Sequence, residues 1–144
     1  MSPDEIHNRF VNEIEKRGND DRYIDGLEER ELMQIAIQHG FSPDWARQAL
    51  TEVCQQKGFI IEAAVVQRVR ERLKATVFPD GQLDKQGFES LVSEVRTVLQ
   101  GTTRTDPEIR RLVVNTIDDL GTIRVKTGWF RNWYLQLKRQ LRMT

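Results

Sequence analysis

A chain of 144 residues with 38% apolar and 31% charged side chains has the balance of one globular domain that can bury a core, which excludes an intrinsically disordered chain. No stretch approaches the ~20 successive apolar residues of a membrane span, and the amino terminus opens on Ser2, Pro3, Asp4 and Glu5 rather than on a basic and then apolar segment, so a soluble, cytoplasmic protein is expected. Formal charge sums to zero but is unevenly placed: residues 1–31 hold ten acids against five bases, whereas residues 122–144 hold six bases and no acid.

Helix signals recur along the chain. Ser2, Pro3 and Glu5 form a capping box with proline at the first helical position, and Ile6, Phe10, Val11 and Ile14 then share one face until Gly18. Asp25 with Glu28 opens a second helix through Leu27, Leu32, Ile35 and Ala36, closed by Gly40; Ser42-Pro43 opens a third, closed by Gly58. A fourth runs from Glu62 to Lys74. Asp84 opens a fifth, which ends at Gly101, and Thr105-Asp106-Pro107-Glu108 opens a sixth, closed by Gly121. Phe59-Ile60-Ile61 and Thr122 to Lys126 each follow a glycine and carry enough branched residues for strands; paired with each other, they would make one small two-stranded sheet. The predicted fold is all-α, a compact bundle of six or seven helices with at most that sheet.

Two stretches repeat. Tyr23-Ile24-Asp25 returns as Gln82-Leu83-Asp84 fifty-nine residues later, and Gly58-Phe59-Ile60-Ile61 as Gly121-Thr122-Ile123-Arg124 after sixty-three, so residues 19–61 and 78–126 read as two copies of one helical hairpin within a single domain. The loop before each copy resembles the EF-hand family, which sets oxygen ligands at positions 1, 3, 5, 9 and 12 around a glycine at 6 and an aliphatic residue at 8. With Ile24 at position 8 the first loop supplies Asn19, Asp21, Asp25 and Glu28, but Arg17 stands first and Arg22 replaces the glycine. With Leu83 at position 8 the second keeps Asp80, Gly81 and Asp84 but puts Thr76 first, Phe78 third and Gly87 where the bidentate acid belongs. An acidic loop leading into a helix is similar to the helical tellurite-resistance B-type domains as well. The resemblance implies calcium loops; a guanidinium in place of the first carboxylate and the loss of the last one predict caps at Asp25 and Asp84 and apolar plugs at Ile24 and Leu83, with no metal and no cofactor.

Catalytic groupings are not legible either. Cys54 falls on the apolar face of the third helix with Ala46, Ala49, Leu50 and Val53, and a single thiol with His7 and His39 makes no zinc pattern. The expectation is a non-enzymatic protein-interaction or adaptor module. Its contact is assigned to a carboxyl-terminal helix over 128–142, where Trp129, Phe130, Trp133 and Tyr134 crowd together and Arg131, Lys138, Arg139 and Arg142 form a basic face. The alternative is a nucleic-acid-binding domain with a winged-helix-like surface, in which Arg124, Lys126 and the same tail cations meet phosphates, helped by Arg68, Arg70, Arg72 and Lys74. An amphipathic helix on an anionic membrane surface is a third, lesser reading.

Overall fold

The computed structural model describes residues 2–128 and 132–143, in which seven helices and four two-residue strands are formed. The chain divides into two compact units: unit 1 comprises Met1–Ala64 with Gly101–Thr103, and unit 2 Val65–Gln100 with Arg104–Thr144. Among the described residues no helix is long and apolar enough to cross a membrane.

Unit 1 begins with α1 (Pro3–Gly18), whose first turn is closed by the Ser2 hydroxyl accepting from the Glu5 amide. The sequence places Phe10 and Ile14 one turn apart, and both are buried. β1 (Tyr23–Ile24) leads into α2 (Gly26–Gln38), and α3 (Pro43–Lys57) returns to β2 (Ile60–Ile61). The α2–α3 hairpin is thus the crossover that lets β1 and β2 pair in parallel, Tyr23 opposite Ile60 and Ile24 opposite Ile61. Phe10, Ile14, Ile24, Leu32, Leu50 and Cys54 form the centre of the core, and the Phe59 ring lies over Gly18, where it leaves no room for a Cβ.

Unit 2 repeats this order. α4 (Glu62–Val77), whose first residues belong to unit 1, is followed by β3 (Gln82–Leu83), α5 (Lys85–Val98), α6 (Asp106–Leu120) and β4 (Arg124–Val125), with α7 (Trp133–Gln140) added at the end. β3 and β4 are again parallel, Gln82 opposite Arg124 and Leu83 opposite Val125. The two extended pieces expected to pair with each other therefore do not. Each pairs with the loop at the start of its own hairpin, and the result is two small sheets rather than one. The reason is chain economy: each glycine-ended hairpin brings its last residues back beside its own first ones.

Candidate functional site: a groove beside the last helix

α7 starts at Trp133, with Asn132 Oδ1 accepting from the Leu135 amide as its cap. Its apolar side is drawn into unit 2. Tyr134 is buried edge-on to Phe88 and donates its hydroxyl to Asp118 Oδ1 at 2.9 Å. Burial, and then the Asp118 carboxylate, push this phenol well above its usual range. Trp133 lies 5.4 Å from Phe88 and donates from Nε1 to the Lys126 carbonyl at 2.9 Å. Leu141, just past the helix, is buried and its carbonyl accepts from Arg111 Nε at 3.1 Å.

The residues assigned to partner contact thus separate. Tyr134 is a packing residue. Lys138 is largely covered, its Nζ 2.8 Å from Asp118 Oδ2 and 4.8 Å from the centre of the Tyr134 ring, so its charge is already answered. Trp133 is half-buried, while Arg139 and Arg142 are exposed. Trp129, Phe130 and Arg131 lie outside the described residues. The expected helix over 128–142 is shorter among the described residues, because Asn132 caps it and the chain turns at Leu141.

Docking α7 leaves an open groove of about 430 Å³ between it and the amino-terminal ends of α5 and α6. Pro107, Trp133 and Leu137 supply its apolar lining, and Gln136 and Gln140 line the α7 side. Across from them stands an ion-pair network. Arg110 spans Glu89 with both terminal nitrogens at 2.9 and 3.0 Å and reaches Asp106 through Nε at 2.7 Å, and Arg96 pairs with the same Asp106. The hydrogen bonds from Arg110 and then Arg96 hold the Asp106 carboxyl below its ordinary range, and the bond to Glu89 holds the Arg110 guanidinium charged even more firmly than usual. Lys85 and Arg111 also line the groove, and neither has a carboxylate ion-pair partner among the described residues. The groove lining therefore carries three cations, Lys85, Arg110 and Arg111, against two carboxylates, Glu89 and Asp106, beside apolar surface.

Arg110 four residues after Asp106 on one helix is a pair that sequence spacing could have revealed. Lys85 had no such signal, since nothing local says that the start of α5 borders a groove.

The two calcium-like loops have other occupations. Asp25 and Glu28 form a reciprocal capping box, with bonds of 2.8 and 3.1 Å, and Asp21 accepts from the Tyr23 amide. Arg17 bridges Glu13 at 2.7 Å and Glu31 at 3.2 Å. In the second loop Asp80 accepts from the Gln82 amide and Asp84 from the Gly87 amide. Gly87 is small for a packing reason: a Cβ there would stand 2.9 Å from the Leu83 side chain. Ile24 and Leu83 are both buried. Among the described residues no three His, Cys, Asp or Glu side chains converge as metal ligands would. Cys54 is buried, which pushes its thiol up to about 11, so it stays protonated at neutral pH.

Compared with protein-family models, curated proteins and solved structures, the chain matches none.

Proposed function

We propose that this protein is a non-enzymatic protein-interaction module, an adaptor, in which the groove between α5, α6 and α7 receives a segment of a partner protein. One observation carries the reading: apolar Trp133, Leu137 and Pro107 sit beside Lys85 and Arg111, which have no ion pair among the described residues, while Arg139 and Arg142, outside the lining, are exposed. Aromatic and arginine anchors around a partly apolar recess are the composition of binding hot spots. The complementary segment carries an acidic side chain next to an apolar one.

A protein partner is favoured over nucleic acid by how the basic residues are used. Arg68 and Arg72 both pair with Glu94, Lys138 with Asp118, and Arg124 donates to the Asp80 carbonyl, so four of the nine described cations that would form a phosphate-binding face are engaged with the protein's own groups. β4 lies in a parallel pair with β3, not in a terminal hairpin that could serve as a wing.

Capture from the source cell tests the reading, comparing the intact protein with a variant carrying Lys85→Glu, Arg139→Glu and Arg142→Glu, all at exposed positions. The wild type should retain a protein after nuclease treatment and the variant should lose it, with thermal stability unchanged. Capture that disappears on nuclease treatment, or that survives the charge reversal, goes against it.

A further inference from the structure

The hairpin of unit 1 has its own recess, about 610 Å³, on the outer side of α2 and α3. Met33, Ile37, Pro43 and, at the start of α4, Ala63 line it, and its charged residues are Glu29, Arg30 and Arg47, two cations against one carboxylate. Ile37 is 51% exposed, high for a large aliphatic side chain, whereas Met33 is half-buried against the core. The ion pairs of unit 1 join Glu13 to Lys16 and Arg17, Glu31 to Arg17, and Glu15 to Lys57, so among the described residues Arg30 and Arg47 have none.

What this recess takes is indicated by the matching place in unit 2. Aligning α2 with α5 through the buried pair Ile24 and Leu83, and α3 with α6 through their closing glycines Gly58 and Gly121, puts Leu32 on Leu91, Leu50 on Val113 and Cys54 on Ile117, each buried in both units. In that alignment Glu29 falls on Phe88, the residue that Trp133 and Tyr134 of α7 pack against. Arg47 falls on Arg110, but the two acids that neutralise Arg110 are gone: Arg30 stands in place of Glu89 and Pro43 in place of Asp106. Ile37 replaces Arg96, the second cation of that network. The surface that borders the groove beside α7 in unit 2 thus carries, in unit 1, Arg30 and Arg47 without an ion pair, together with Glu29, around apolar side chains.

We propose that the α2–α3 face of unit 1 is a second docking surface, which takes an acidic amphipathic helix of another protein. The helix lies along the surface that corresponds to the groove beside α7 in unit 2. Its apolar residues cover Met33 and Ile37, and its carboxylates supply Arg30 and Arg47 with the partners that Glu89 and Asp106 give Arg110. A helix is the fitting occupant because helices pack in the groove between two others through such apolar stripes, and charge reversal at the rim sets which helix is accepted. This inference does not rest on the groove beside α7; with both surfaces the chain has two sites, as a bridging adaptor needs.

The probe is a labelled synthetic peptide of about 16 residues, long enough to hold helix alone, with leucines at helical spacing and glutamates elsewhere, alongside a second peptide with lysine for every glutamate. Fluorescence anisotropy with the intact protein should show the acidic peptide binding at least about tenfold more tightly than the basic one. Arg30→Glu with Arg47→Glu should invert that order, whereas the Lys85, Arg139 and Arg142 charge reversals should leave it unchanged. Binding of neither peptide, equal binding of both, or an order unaffected by reversal at Arg30 and Arg47 overturns the proposal. So does self-association that Ile37→Asp abolishes, since the occupant would then be a second copy of the chain.

Discussion

Arg22 and Gly81 occupy the same step of their loops, each one residue before a strand, and both adopt the left-handed backbone, with φ of 58° and 75°. The carbonyl of each accepts from the first residue of the returning piece, Ile60 N at 2.9 Å and Arg124 N at 2.8 Å. A left-handed conformation is cheap for glycine and costs another residue ~1–2 kcal/mol. Arg22→Gly should therefore leave thermal stability unchanged or raise it by up to about 1 kcal/mol, and Arg22→Val should lower it by about 1–2 kcal/mol, read in denaturant titrations. The caps at Ser2, Asp25, Ser42, Asp84 and Thr105 were legible in the sequence because a cap is a contact within three residues. The left-handed turn at Arg22 was legible only through its match to the loop glycine Gly81, since an arginine by itself gives no local sign of it. At Asp106 the folded carboxyl titrates below its unfolded value, so its stabilising contribution is full above about pH 4 and is lost as pH falls further. The side chain is nearly half exposed, which keeps the effect below about 1 kcal/mol. Asp106→Asn should flatten that part of an acid-unfolding profile; an unchanged profile would show that the network does not hold in solution.

At the scale of elements, α7 is the piece whose character the sequence stated only in part. Its 3.6-residue apolar spacing identified a helix with one buried side, yet the depth at which Tyr134 sits depends on Phe88, Val114 and Asp118, which lie on two other helices. Lys138 likewise reads as a free cation until Asp118 is found beside it. The strands show the same limit. Their branched residues marked them as extended, but pairing is a contact between residues far apart in the chain, and the parallel partners were not legible. The phenol of Tyr134 titrates above its unfolded value, so the stability it confers is intact below about pH 10 and declines as pH rises beyond that. Thermal melts of the wild type should fall through that alkaline range, and Tyr134→Phe should remove the fall at a cost of about 1 kcal/mol at neutral pH. A parallel alkaline decline in both proteins would mean that this phenol is not held as described.

Across the molecule, we propose that the two units arose from one duplicated hairpin. Both have a helix, a strand of two residues, a helical pair and a parallel returning strand, and both bury the aliphatic residue just before a capping aspartate. The sequence points to this through turn residues, which face the same geometric demand in each copy, while core positions exchange freely among apolar residues of similar shape, as Leu50 and Val113 do. If so, the plugs are equivalent: Ile24→Ala and Leu83→Ala should each cost about 2–5 kcal/mol in denaturant unfolding. A loss confined to one plug would separate the two loops. What no local pattern disclosed was the surface itself, because a groove is defined by the helices around it. The most direct measurement places a photo-crosslinking amino acid at Gln136, in the groove beside α7, or at exposed Asn115 on α6, outside it, in the protein's own cell. The account predicts a discrete protein adduct from Gln136 and none from Asn115; an adduct to nucleic acid, or equal protein adducts from both positions, would contradict it.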